Sequence, residues 1–189
     1  MPTSEIQTDA IVRHALQSGK QVFVPFLHKT SNPPPGAPKS VMDMVDLRSI
    51  SDYESLERDS WGIPTISAST VREREHILEA ETTGSLDLIL MPGVAFDRDS
   101  TTEFVRRLGH GKGFYDRFLH RYMQGRSSHA AKVASSGPGT DALLYGLALE
   151  QQLLKAEDGH SVPVGEYDSL LHGLVVGDGK LIESPLDGQ

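Results

Sequence analysis

The sequence predicts an α/β fold, and three observations carry that prediction. A helical apolar stripe opens the chain, short apolar runs of strand character recur along it, and the best of these is followed by a glycine-rich basic segment and then a helix. Strand, glycine loop and basic helix in that order are how α/β proteins present backbone amides to phosphate. At 189 residues the chain suits a single domain over 1–189 with one well-buried core.

Taken in order, Ser4 to Leu16 reads as an amphipathic helix, capped by Thr3 or Ser4, striped by Ile11, Val12, Ala15 and Leu16, and ended by Gly19. Gln21 to Phe26 (QVFVPF) reads as a buried strand. A helix before the first strand is an unusual opening for a parallel sheet. Asn32 to Pro38 (NPPPGAP) is a surface loop with polyproline tendency, so an insertion is expected near 31–39.

Val41 to Leu47 (VMDMVDL) alternates apolar and acidic residues as a half-exposed strand does. Ser51 to Leu56 carries the capping-box spacing Ser51-x-x-Glu54. Trp61 to Pro64 is rich in turn formers, and Val71 to Glu81 reads as a helix or ordered loop. Leu86 to Met91 (LDLILM) is the best strand, stopped by Pro92 and Gly93. A polar loop leads to the glycine segment and to a helix from Phe114 to Met123, with Phe114, Phe118, Leu119 and Tyr122 at helical spacing. Ala130 to Asp141 reads as a second insertion (130–141). Leu143 to Leu149 and Leu171 to Val176 are further strands, with Gly177 to Gly179 a turn.

Composition excludes several classes. Cysteine is absent, which removes disulfides, thiolate metal sites and a thiol nucleophile, and suits a reducing compartment. The longest apolar run, Leu86 to Pro92, is broken by Asp87 and falls short of the ~20 residues a membrane helix needs. The first nine residues are polar and acidic, unlike a signal peptide, so a cytoplasmic location is expected, with a mitochondrial one as the alternative, and no membrane partner. A net charge of −8 argues against nonspecific nucleic-acid binding. Within this acidic chain, Arg106, Arg107, Lys112, Arg117, Arg121 and Arg126 face the single Asp116, a local balance of +5 that points to a small anion.

Gly109, Gly111 and Gly113 on alternate positions let the backbone approach an anion closely. Lys112 adds a mobile point charge, Arg107 a bidentate fork, and the helix start a partial positive charge. Together they form a phosphate cradle suited to a nucleotide. Neither the Walker spacing nor the Rossmann glycine fingerprint fits, and on spacing alone a tight turn with a solvated basic face is an equal reading.

The whole run is more specific. Leu88-Ile-Leu-Met-Pro-Gly-Val-Ala-Phe-Asp97 and Arg107-Leu-Gly-His-Gly-Lys-Gly-Phe-Tyr-Asp-Arg-Phe-Leu119 closely resemble the signature of the 5-formyltetrahydrofolate cyclo-ligase family, the methenyltetrahydrofolate synthetases. Glu5-Ile-Gln-Thr8 is similar to its Glu-x-x-Thr substrate motif. Gly19 to Pro25, Met42 to Met44 and Ser60 to Pro64 resemble its next strand, its central strand and its Trp-x-Ile-Pro turn. Ala148 to Gln152 and Val162 to Asp168 resemble its Glu-Gln segment and its late metal-binding aspartate. The resemblance runs from Glu5 to about Asp168.

The resemblance implies a Rossmann-like three-layer sheet with flanking helices, of the NagB/RpiA/CoA-transferase kind. It implies ATP-dependent conversion of 5-formyltetrahydrofolate to 5,10-methenyltetrahydrofolate through phosphorylation of the formyl oxygen, with release of ADP and phosphate. Arg107 and Lys112 are then the catalytic cations, and Arg107, Leu108, Gly109, His110, Gly111, Lys112, Gly113, Phe114 and Tyr115 line ATP. Glu5, Trp61, His110, Gly111, Lys112, Gly113 and Phe114 face the folate, and Asp116 and Asp168 hold Mg2+. Read without the family, Asp116 is a first-turn acid favouring the helix dipole, Trp61 a core residue, Glu5 a solvated carboxylate and Tyr115 a packing residue. A monomer is expected.

Family members usually begin several tens of residues earlier, with a basic helix and a first strand. By that comparison this chain lacks the N-terminal helix and strand, and either its activity is weakened or absent or the remaining cradle suffices. Other readings are a folate- or nucleotide-binding domain without catalysis, or a phosphate-binding isomerase or CoA-transferase relative that needs no ATP.

Overall fold

The computed structural model describes residues 6–30, 38–60, 62–79, 85–126, 142–155, 157 and 159–185, the side chains of residues 125 and 126 excepted. It is mixed α/β and divides into two compact units, Gln7–Thr83 with Met1–Thr3, and Gly84–Gln189 with Ser4–Ile6. Most of the two expected insertions, residues 31–37 and 130–141, lies outside the described residues, as do Glu5 and Trp61.

In the first unit, α1 (Asp9–Gln17) starts five residues later than the apolar stripe predicts. Asp9 opens the first turn, where a carboxylate complements the helix dipole, and it also accepts from Arg13 (2.9 Å) and from the Tyr53 hydroxyl (2.9 Å). Those two bonds, Tyr53's the larger influence, hold the Asp9 carboxyl below its ordinary range. Gly19 ends the helix as expected, at φ +69°, a left-handed conformation that favours glycine.

Strands β1 (Val22–Lys29) and β2 (Ser40–Leu47) form an antiparallel ladder from Val22 opposite Leu47 to Lys29 opposite Ser40. β1 runs three residues further than predicted and contains Pro25. It pairs only with β2 among the described residues, and on a one-sided strand the missing N–H is tolerated. Val45, Leu47, Tyr53, Ile66 and Val71 are the buried centre, covered by Val12 and Leu16 of α1 and by Val22, Val24 and Phe26 of β1.

The next helix, α2 (Ile50–Glu54), is capped by Ser49 rather than by Ser51. Ser49 is extended and its Oγ accepts from the Asp52 N–H at 3.1 Å, whereas Ser51 is already inside the turn. A two-residue ladder, β3 (Glu57–Arg58) with β4 (Pro64–Thr65), follows. Of Val71 to Glu79 only Val71–Glu73 is helical, a single 3-10 turn. The stretch is tied to β2 by Asp46 N–H to Glu75 O (3.0 Å) and Ile77 N–H to Met44 O (3.1 Å). Arg74 closes a fork on Asp52 at 2.6 and 2.7 Å.

The second unit holds β5 (Leu88–Pro92), β6 (Ala95–Arg98), β7 (Val105–Leu108), α3 (Phe114–Arg126), β8 (Leu143–Ala148), β9 (Gly173–Val176) and β10 (Leu181–Glu183). Its sheet has the order β10-β9-β8-β5. β5 is parallel to β8 and β8 to β9, while β10 is antiparallel to β9, so the sheet is mixed. Helix α3 lies in the parallel crossover from β5 to β8. It buries Phe118, Leu119 and Tyr122, and the Tyr122 hydroxyl accepts from the Leu86 N–H at 2.7 Å, fixing α3 to the entry of β5.

The polar stretch predicted as a loop after β5 is in fact the β6–β7 hairpin, with Asp97 opposite Arg106 and Phe96 opposite Arg107. Fully buried Phe96 wedges between glycines: a Cβ on Gly146 would lie 2.6 Å from its ring and 2.7 Å from Leu174, and one on Gly93 2.6 Å from the same ring. Glycine is required at both positions for space.

His172 supplies a pH dependence. Its Nδ1 accepts the Leu144 N–H at 2.9 Å, so the ring is neutral at that nitrogen, and burial lowers its pKa below 6.5. With the folded pKa below the unfolded one, the contribution to stability is complete above about pH 6.5 and is lost as pH falls through the folded value. Thermal melts from pH 8 to pH 5 are expected to show a decline below about pH 6.5 that His172→Gln lessens; equal declines in both proteins would refute the role.

Candidate active site

The site is built where β7 runs into α3. After Leu108 the chain turns through Gly109 to Gly113, with Gly111 at φ +75° and Gly113 at φ +56°. Both conformations disfavour any residue with a Cβ, so these two glycines are needed for backbone shape. Gly109 has an ordinary φ, but a Cβ there would lie 3.0 Å from an Arg107 Nη.

Helix α3 follows at once, with thirteen residues, and the N–H groups of its first turn have no acceptor within the helix itself. His110 and Lys112 are exposed, and the Lys112 ammonium has no ion pair among the described residues. The Lys112 carbonyl accepts from Arg117, whose guanidinium also stands 5.6 Å over the Phe114 ring.

The adjacent arginines of β7 have different tasks, because successive side chains of a strand point to opposite faces. Arg106 closes on buried Asp97 through two bonds, Nε to Oδ1 at 2.7 Å and Nη2 to Oδ2 at 2.6 Å, and reaches Asp99 at 2.8 Å. The Asp97 bond raises the Arg106 pKa further, and backbone N–H groups of Thr102 and Thr101 hold the Asp99 carboxyl low. Its charge, counted toward the positive focus by sequence, is therefore offset inside the hairpin.

Arg107 takes the other face. Its side chain is 5% exposed, donates to Asp116 Oδ2 at 2.8 Å and to the Pro92 carbonyl at 3.2 Å, and lies 5.6 Å over the Tyr115 ring. Its Nε–H is buried with no acceptor among the described residues. The fork that the sequence offers to phosphate is thus divided between Asp116 and the Pro92 carbonyl, and Lys112 is the exposed cation of the loop.

Asp116 Oδ1 also accepts from the Ser169 N–H, at 3.4 Å, which brings Asp168 to the neighbourhood of Asp116. Asp168 is exposed, and its Oδ2 accepts from the Gly165 N–H at 2.7 Å. The other end of this segment is fixed by Val162, whose N–H donates to Asp97 Oδ2 at 2.8 Å. Among the described residues no three His, Cys, Asp or Glu side chains gather into a metal cage. Two carboxylates near a phosphate cradle nevertheless suit a hard cation that keeps its waters and takes most of its charge compensation from phosphates.

Arg107, Asp116 and the turn before Asp168 are therefore brought together, with Gly109 to Tyr115 forming the loop and first turn beside them. The sequence reading missed three members of this framework. Asp97 closed a motif but offered no sign of its partner, Ser169 acts through its backbone, and Gln152 bonds the Gly93 carbonyl (2.9 Å) and the Leu149 N–H (2.8 Å). Only Gln152 had a signal, its place in the Glu-Gln segment.

Comparison with known proteins gives this geometry its setting. The family model for the 5-formyltetrahydrofolate cyclo-ligase family matches residues 1–175. A probable 5-formyltetrahydrofolate cyclo-ligase of Caenorhabditis elegans is 34% identical over 166 residues, covering 88% of this chain and 64% of that protein. The 5-formyltetrahydrofolate cyclo-ligase of Mus musculus is 38% identical over 120 residues, 64% of this chain and 50% of the relative. A probable cyclo-ligase of Schizosaccharomyces pombe is 31% identical over 175 residues, 93% of this chain and 70% of the relative. Over these matches the chain spans between half and 70% of the relatives' length. With 175 of its 189 residues under the family model, the chain belongs to the 5-formyltetrahydrofolate cyclo-ligase family.

Proposed function

We propose that this protein uses ATP to convert 5-formyltetrahydrofolate to 5,10-methenyltetrahydrofolate, ADP and phosphate. The observation that carries the reading is the loop around Lys112: two left-handed glycines flank an exposed ammonium at the start of a thirteen-residue helix. Such a loop turns backbone N–H groups and positive charge toward one anion.

The formyl oxygen displaces ADP from the γ-phosphorus of ATP. N10 then adds to the activated formyl carbon and closes the ring, gives up its proton to solvent, and the carbon–oxygen bond to phosphate breaks as phosphate leaves. Phosphoryl transfer asks the protein for position and charge neutralisation. In this reading Leu108 to Tyr115 line the phosphates, and Lys112 touches the transferred group and neutralises charge as it develops. Arg107 acts from beneath the loop by its fixed charge and by its hold on Asp116.

Asp116 and Asp168 would hold Mg2+, which would supply charge neutralisation for the phosphates. Asp168 offers Oδ1, free of partners among the described residues, and Asp116 gives up its long bond to Ser169. His110 to Phe114 face the formyl group and the pterin, and Glu5 and Trp61 belong to the same proposal through the family's motifs. The finer Rossmann-like three-layer arrangement does too, supported by the parallel run β5, α3, β8, β9.

The test is direct. With 5-formyltetrahydrofolate, ATP and Mg2+, the protein is expected to produce the methenyl ultraviolet absorbance with one ADP per turnover. Product without ATP would favour an ATP-independent phosphate-site enzyme, and saturable ligand binding without ADP release a non-catalytic module; either result overturns the reading.

A further inference from the structure

Tyr167 is 78% exposed, the highest exposure among the described large apolar and aromatic side chains, and its hydroxyl has no hydrogen-bond partner among the described residues. An aromatic ring so bare adds little burial to the fold and presents its face to a ligand. It is not on a free chain. Residues 162–169 are tied at both ends, Val162 N–H to Asp97 (2.8 Å) and Ser169 N–H to Asp116 (3.4 Å). Within them Asp168 closes a turn on Gly165, accepting its N–H at 2.7 Å and donating its own N–H to the Gly165 carbonyl at 3.2 Å. Glu166 and Tyr167 form the tip of that turn.

The ends of the segment are held by the same carboxylates that organise the phosphate loop: Asp97 binds Arg106, and Asp116 binds Arg107. A bare ring is therefore carried by a turn whose two ends are bonded to the carboxylate partners of Arg106 and Arg107. A nucleotide carries two recognisable parts, a charged phosphate chain and a flat base, and the loop around Lys112 addresses only the first. Planar rings stack on nucleobases at little entropic cost, since a tyrosine has two side-chain torsions to fix.

We propose that Tyr167 is the stacking platform for the purine base of the ATP held by the glycine loop, a binding residue that sets nucleotide affinity rather than the rate of transfer. The proposal rests on the ATP-dependent reading above. Exposed Val164 (46%) flanks the turn and extends its apolar surface.

The test compares the unaltered protein with Tyr167→Ala, Tyr167→Phe and Tyr167→Trp. Tyr167→Ala is expected to raise KM for ATP about ten-fold with kcat and KM for 5-formyltetrahydrofolate unchanged. Tyr167→Phe should behave as the unaltered protein, because stacking needs the ring and not the hydroxyl. In Tyr167→Trp, addition of ADP should quench indole fluorescence. An unchanged KM for ATP in Tyr167→Ala, or a rise in the folate KM instead, overturns the proposal. The ATP-dependent reading fails separately, if the unaltered protein gives no methenyl product or gives it without ADP.

Discussion

Lys112→Ala is expected to lower kcat about 10²–10³-fold, the loss typical of removing one preorganised group that stabilises transition-state charge. The melting temperature should barely move, since an exposed lysine with no ion pair among the described residues contributes little to folding. That combination separates chemistry from structure. Lys112→Arg tests geometry further: the compact ammonium is replaced by a broad, rigid fork, so partial recovery is expected and full recovery is not. Steady-state kinetics with calorimetry on the same samples provides both readings, and an unchanged kcat in Lys112→Ala would remove the basis of the proposed function.

Arg107→Ala is expected to have the second large effect, and a mixed one. The Arg107 and Asp116 side chains are 5% and 13% exposed, so losing the guanidinium strands a mostly buried carboxylate. Breaking such a pair costs about 3–5 kcal/mol. Activity should fall as well, because the positive charge beneath the loop is gone. Adding Asp116→Ala to Arg107→Ala removes the stranded charge and should recover much of the stability with none of the turnover. Denaturant unfolding of the two single variants and the double variant measures the coupling. If stability and activity return together in the double variant, the pair is purely structural.

Legibility followed the physics of each signal. Helix α3 was plain because Phe118, Leu119 and Tyr122 repeat at helical spacing and are buried, and β5 and β8 because their apolar runs pair inside a sheet. The β6–β7 hairpin was hidden. Its buried positions include Asp97, and Arg106 and Arg107 carry charge on its two faces, so hydropathy reads as loop where charges are paired, across the strands for Arg106 and with α3 for Arg107. The start of α1 and the cap of α2 were misplaced by a few residues, since Thr3, Ser4, Thr8, Ser49 and Ser51 all carry capping side chains and only the backbone decides among them. In the site, glycine spacing announced the loop, but spacing cannot show that Arg107 folds back onto Asp116. Nor can it show that Ser169 and Val162 contribute through main-chain N–H groups, which every residue except proline possesses.

The opposite placement of Arg106 and Arg107 also limits how this hairpin can drift over generations. Insertions after Asp99 in the 100–103 turn leave the bonds of Arg106 to Asp97 and Asp99 intact, so the tip can lengthen there. A one-residue insertion between Val105 and Arg106 instead exchanges the two arginines between faces, placing the hairpin's internal cation at the loop and the other inside the hairpin. Lineages carrying this hairpin should therefore show length variation confined to its tip.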